Sequence, residues 1–145
     1  MQNESLGRQT RDGIRLFQKA DFAGMHAAGK LAAQILDDVA EQVVPGETTG
    51  QLDKFIEKKV IQAGAASATI GYKGYRHASC ISLNHVVCHG IPGDKKLKDG
   101  DVLNIDVTVI VDGWYGDTSR MFVAGKLDRK SERLIQVTHD SLFKG

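Results

Sequence analysis

The chain is expected to fold as an α+β unit, an antiparallel sheet with helices packed on one face. Residues 102–111 and 114–123 read as two strands joined by Asp112-Gly113, a dipeptide that favours a two-residue type I′ turn. The first run alternates: Leu103, Ile105, Val107, Val109 and Val111 form an apolar face, and Asn104, Asp106 and Thr108 a polar one. One side therefore packs on helices and the other lines a cleft. Two upstream segments carry apolar residues at helical spacing.

Residues 1–20 read as an N-terminal arm, loose over 1–13, and residues 21–145 as the folded unit. Asp21 is placed to cap a helix carrying Phe22, Met25, Ala28, Leu31, Ala32, Ile35, Leu36, Val39 and Val43. Pro45-Gly46 ends it. Thr48 and Gln51 form a capping-box pattern ahead of a second helix with Leu52, Phe55, Ile56, Lys59 and Val60, and Gly64 suits its C-terminal cap. Ser79–Ser82 and Asn84–Cys88 read as short strands, and Asp94–Gly100 as a polar turn. Arg120 falls on the core face of the second hairpin strand, which suggests a bulge. A last helix starts from Asp128 or Ser131, with Leu134, Ile135, Val137 and Leu142 on an apolar face.

The 145 residues amount to one domain, with net charge +1, 41% hydrophobic and 26% charged residues, ordinary for a soluble globular protein. Lys95, Lys96 and Lys98 alternate with Asp94, Asp99 and Asp101, a solvated loop that signals neither nucleic acid nor a membrane surface. No apolar run approaches the ~18 residues of a membrane span. The start, Met1–Asp12, is polar and lacks a signal-peptide core. The two cysteines, Cys80 and Cys88, then suggest free thiols and a cytoplasmic location. Asn3-Glu4-Ser5 matches a glycosylation pattern that means nothing without secretion.

A two-residue turn pairs Val111 with Trp114, so Thr108 faces Asp117 and Asp106 faces Ser119. Asp106 and Asp117 become diagonal neighbours on one face, roughly 7–8 Å apart at Cα. Two carboxylates so placed suit hard divalent cations, and a dinuclear pair about 3.5–4 Å apart fits between them. The bland alternative is a polar sheet face open to water. A three-residue turn would put the aspartates on opposite faces. His89, in Cys88-His-Gly-Ile-Pro92, can donate a proton or hydrogen bond near neutral pH, or serve as an ordinary loop histidine. Gly71-Tyr-Lys-Gly-Tyr75 can wall a small apolar pocket or simply pack. Cys80 and Cys88 suit buried small side chains better than nucleophiles. His26, His77, His85 and His139 show no metal-ligand spacing.

Five blocks together resemble type I methionine aminopeptidases of the bacterial type, with the pita-bread metallopeptidase fold. They are Gly71-Tyr-Lys-Gly-Tyr, Cys80-Ile-Ser-Leu-Asn, Val86-Val-Cys-His-Gly-Ile-Pro, Asp99-Gly-Asp-Val-Leu-Asn-Ile-Asp-Val-Thr-Val and Gly116-Asp-Thr-Ser-Arg-Met-Phe. The resemblance implies that residues 21–145 are the N-terminal half-domain of that fold. It implies that Asp106 binds one metal ion through both oxygens and that Asp117 bridges two. It makes His89 a catalytic and substrate-contacting residue and not a metal ligand. Tyr72, Tyr75 and Cys80 would line the pocket for a methionine side chain. Thr69 would join them where the bacterial pattern often has cysteine.

The implied cofactor is a pair of divalent ions, with Co, Mn, Fe, Zn and Ni not distinguished. The implied reaction is removal of N-terminal methionine from nascent polypeptides, near the ribosome, by an enzyme monomeric in its complete form. The family's remaining ligands, a histidine and two glutamates, and its general base come from a second half-domain. The chain is therefore expected to be a fragment with weak metal binding, little activity alone and an exposed apolar surface. The alternatives are a related prolidase or Xaa-Pro aminopeptidase, or a non-catalytic binding remnant of the fold.

Overall fold

A computed structural model describes residues 8–145. The start of the arm and the Asn3-Glu4-Ser5 pattern lie outside the described residues. The elements are β1 (Arg8–Gln9), β2 (Arg15–Leu16), α1 (Phe22–Ala40), α2 (Thr49–Gln62), β3 (Ala66–Ser67), β4 (Ser79–Leu83), β5 (Asp101–Val111), β6 (Trp114–Ala124) and α3 (Arg129–Leu142), with one 3₁₀ turn at Tyr72–Gly74.

β5 is the centre of the main sheet. Along one edge it pairs with β6 without a slip, from Val111 opposite Trp114 to Asp101 opposite Ala124. Asp112 and Gly113 have φ of +49° and +84°, both left-handed as a type I′ turn requires. The other edge of β5 is shared end to end: β4 pairs with residues 103–107 and β3 with 109–110. All of these pairings are antiparallel.

The apolar face of β5 is fully buried at Leu103, Ile105, Val107 and Val109. Against it lie Ala32, Ile35, Leu36 and Val39 of α1, and Leu52, Ile56 and Val60 of α2. α1 sits over β5 and β6, and α2 over β3 and β4. The closest approach is at Gly116, where a Cβ would run into the backbone of Ala28 and Gly29. Lys59 of α2 also reaches Asp38 of α1 at 2.8 Å. That bond, with a second from Gln34, holds the Asp38 carboxyl below its usual range.

Several details depart from the sequence expectations. Residues 8–13, expected to be loose, form a ribbon with the residues that follow, Arg8 opposite Leu16, closed by Thr10, whose hydroxyl accepts the Ile14 N–H at 3.1 Å. Phe17 then stacks on Trp114, with ring centroids 5.5 Å apart. Asp21 does not cap α1: it is itself helical, and its carboxylate accepts the Gln18 N–H at 2.7 Å. Phe22 and Met25 are exposed rather than core. The Thr48 hydroxyl does cap α2, accepting the Gln51 N–H at 3.1 Å. The box is only half formed, because the Thr48 N–H goes to Glu47. Gly64 closes α2 as expected, with the Ala65 N–H on the Val60 carbonyl.

Asn84–Cys88 is a turn, not a strand. Asn84 takes φ +52° and its side chain bonds Asp101 and the Val102 N–H, which stops β4. The Asp94–Gly100 turn is anchored by buried Leu97. β6 has no bulge at Arg120, which stands opposite Ile105 and extends across to Asp37 of α1 at 2.6 Å. α3 is capped by Asp128, which accepts the Lys130 and Ser131 N–H groups. Its apolar face is not core: Leu134, Val137 and Leu142 are exposed, because α1 and α2 already fill the buried face of the sheet.

Replacing Gly116 with alanine should destabilise the chain by about 1–3 kcal/mol in urea unfolding, because the added methyl meets backbone. Gly29→Ala, whose methyl meets nothing within 4 Å, should be neutral or stabilise by up to about 1 kcal/mol.

Candidate functional site

The polar face of β5 forms the floor of an open cavity of about 750 Å³. Asp106 and Thr108 of β5 and Asp117 and Tyr115 of β6 line it, with Cys80 of β4. Thr69, Tyr72, Lys73 and Tyr75 form a wall, and His89 and Ile91 approach from the 88–92 loop. The seven residues singled out in the sequence, Thr69, Tyr72, Tyr75, Cys80, His89, Asp106 and Asp117, therefore all line one cavity.

The register brings the two aspartates together. Asp106 stands opposite Ser119 on β6 and opposite Cys80 on β4, and Thr108 stands opposite Asp117. The Thr108 hydroxyl donates to Asp117 Oδ1 at 3.0 Å and fixes that carboxylate's orientation. Burial, followed by the charge of Asp117 and a hydrogen bond shared with it, pushes the Asp106 carboxyl above its usual range, and His89 opposes this. Asp106 is half-buried and Asp117 exposed, and their like charges repel across the cavity floor, a repulsion that a cation between them would relieve. Their oxygens suit divalent ions in kind. Among the described residues no group of three or more His, Cys, Asp or Glu side chains is placed to hold a metal ion.

His89 sits in a loop bound to the outer edge of β4. The Gly90 carbonyl accepts the Ile81 N–H at 2.8 Å, and the Gly90 N–H donates to Ser82 Oγ at 3.1 Å. Only glycine fits there, because a Cβ would run into the Ile81 carbonyl. This docking holds His89 at φ +53°, a conformation a non-glycine residue keeps only when its surroundings impose it.

The wall is held by hydrogen bonds to backbone. The Tyr75 hydroxyl donates to the Ser79 carbonyl at 2.8 Å, and the Thr69 hydroxyl to the His77 carbonyl at 2.7 Å. Burial pushes the Cys80 thiol up, opposed by a hydrogen bond with Tyr75 and reinforced by the Asp106 charge. Burial, together with the Cys80 contact, also raises the Tyr75 phenol. Cys80 thus stays a thiol at neutral pH and presents a small, polarisable surface. Cys88 is exposed and lies outside the cavity lining.

The sequence reading missed Asp53, Tyr115 and Lys73. Asp53 is 4% exposed and bonds Ser79 and His77. Its signal was available: positions 53, 56 and 60 share one helical stripe, and a carboxylate on a buried stripe needs a partner.

The sequence profile of metallopeptidase family M24 matches residues 23–145. The chain belongs to metallopeptidase family M24. Within the family it is 52% identical over 132 residues to the methionine aminopeptidase of Rickettsia prowazekii (strain Madrid E), covering 91% of this chain and 51% of that one. It is 50% identical over 125 residues to the methionine aminopeptidase of Escherichia coli (strain K12), covering 85% and 47%. It superposes on the crystal structure of the Rickettsia prowazekii methionine aminopeptidase with a TM-score of 0.89 and 51% identity, covering 90% of this chain and 53% of that chain. The chain spans about half the length of the curated relatives it matches. Its antiparallel sheet with helices on one face corresponds to half of that aminopeptidase's pita-bread structure. Among the described residues no helix is long and apolar enough to cross a membrane.

The raised pKa of Asp106 gives a pH test in metal-free buffer. Below the ordinary carboxylate pKa of about 3.9 the group is protonated both folded and unfolded and has no effect. As pH rises through the higher folded value, ionisation in the folded state costs stability, and the cost is complete above it. Asp106→Asn should therefore raise the melting temperature more at pH 7 than near pH 3, as a thermal melt at each pH would show.

Proposed function

We propose that this chain supplies two metal-binding carboxylates and the side-chain pocket of an aminopeptidase that removes N-terminal methionine from newly made polypeptides in the cytoplasm. One observation carries the reading: the Asp106–Asp117 pair and the wall of Thr69, Tyr72, Tyr75 and Cys80 line the same cavity. Identity of about 50% to two methionine aminopeptidases supports the choice of methionine over proline-directed relatives.

In this reading Asp106 and Asp117 hold a pair of divalent ions as part of a larger ligand set. Bound there, such ions polarise a peptide carbonyl and acidify a water. The residues of the chain do the rest of the work assigned to them. The wall accepts an unbranched, apolar side chain: the aromatic faces of Tyr72 and Tyr75 and the Cys80 thiol make favourable contacts with a thioether. The Thr69 hydroxyl donates to the His77 carbonyl at 2.7 Å, which fixes this side chain in the wall. His89 donates a hydrogen bond to the substrate near the scissile peptide. The Thr108 hydroxyl, donating to Asp117 Oδ1 at 3.0 Å, keeps that carboxylate oriented. The complete enzyme acts as a monomer on nascent chains close to the ribosome.

Release of Ala-Ser from Met-Ala-Ser is the test. Turnover should require an added divalent metal, favour Met-Ala-Ser over Ala-Ala-Ser by at least about 100-fold, and vanish in Asp117→Ala. Since among the described residues no group of three or more His, Cys, Asp or Glu side chains is placed to hold a metal ion, turnover by the 145-residue chain should be low. Metal-independent cleavage, or cleavage that survives Asp117→Ala, would contradict the reading. Fast turnover by the chain alone would contradict the partial ligand set.

A further inference from the structure

The wall of the cavity is held in place from outside it. Asp53 lies on α2 and is not among the residues lining the cavity. Its Oδ1 accepts both the Ser79 N–H at 2.9 Å and the Ser79 hydroxyl at 2.7 Å, and its Oδ2 meets His77 Nδ1 at 3.0 Å. Ser79 is fully buried and Asp53 nearly so. A buried carboxylate is tolerated only when its lone pairs are met, so residues 77–79 are pinned to α2.

Those same residues anchor the wall. Their carbonyls receive the Thr69 and Tyr75 hydroxyls, at His77 and Ser79 respectively. The His77 ring also packs edge-on against Tyr75, with centroids 5.5 Å apart. Cys80 follows Ser79 directly in the strand. One side chain on α2 is thus two hydrogen bonds away from Thr69 and Tyr75, and one hydrogen bond and a peptide link away from Cys80.

We propose that Asp53 is a positioning residue for this wall: through Ser79 and His77 it sets where Thr69, Tyr75 and Cys80 stand, and so which side chain the cavity admits. The selectivity part rests on the cavity being the methionine side-chain pocket. A carboxylate serving only to tie α2 to the sheet would affect the whole fold evenly. A positioning residue loosens residues 67–80 and leaves the β5–β6 hairpin intact.

Amide hydrogen exchange on the ¹⁵N-labelled 145-residue chain separates the two. Asp53→Ala should speed exchange about tenfold or more at Ser79, whose buried N–H loses its acceptor, and also at Gly71 and Tyr75, whose turn bonds open as the wall loosens, with β5 and β6 amides changed by less than about twofold. Asp53→Asn keeps an acceptor for Ser79 and should recover most of the protection; it also carries the test if the alanine variant fails to fold. Titration with L-methioninamide reports the pocket. Wild-type chain should show shifts at Thr69, Tyr75 and Cys80, with an affinity weakened several-fold in Asp53→Ala and partly restored in Asp53→Asn. Equal acceleration of the wall and the hairpin, or unchanged exchange in the wall, would overturn the positioning role. No methioninamide shifts in the wild type would overturn the pocket reading instead, while the exchange pattern still decides the role of Asp53.

Discussion

Two left-handed residues, Asp112 and Gly113, fix the register of β5 on β6, and nearly everything else in the chain follows from that register. Side chains alternate strictly along a strand, so a slip of one residue would move Leu103, Ile105, Val107 and Val109 out of the core. It would at the same time turn Asp106 and Thr108 into the core. The apolar face binds the hairpin to α1 and α2, while the polar face is left to line a cavity. Core and site are therefore specified by one constraint. Gly116 tightens it, because α1 can close over β6 only where no side chain intervenes.

The cavity floor works against the stability of the chain that builds it. Two carboxylates share it, and the repulsion between them adds to burial in raising the Asp106 carboxyl. An apolar pair would be easier to accommodate. The arrangement makes sense as a preorganised place for positive charge, with Thr108 orienting Asp117 in advance. The same trade is made at His89, kept in a left-handed conformation by a loop that a single methyl at Gly90 would displace. Behind the wall, by contrast, the polar groups that anchor it are met: Thr69, Tyr75, Ser79 and Asp53 are all hydrogen-bonded.

The hairpin was legible because its determinants are local: a turn dipeptide and period-two alternation. The caps of α2 and α3 were legible for the same reason. What escaped depended on distant partners. Asp21 matches a cap by type, yet Gln18 takes its carboxylate. Arg120 looked like a fault in the strand only because Asp37, 83 positions away, was not visible. Asn84–Cys88 has strand-like residues, but Asn84 bonds β5 and breaks the run. The apolar spacing of α3 was read correctly, and spacing alone does not say whether a face is covered. The candidate site residues were named from a resemblance rather than from spacing, apart from the aspartate pair, whose shared face followed from strand geometry; all seven line one cavity.

Register puts Asp106 and Asp117 on one face of the hairpin, and under the proposed function the two act together as one cation-binding unit. Titrating the ¹⁵N-labelled chain with Mn²⁺ tests it most directly, since a paramagnetic ion broadens amides near where it sits. The account predicts that amides flanking Asp106 and Asp117 broaden together at the same metal concentration, that α1 and α2 stay sharp, and that Asp117→Ala removes both effects. Broadening at only one of the two aspartates, or first in the acidic 94–101 loop, would contradict it.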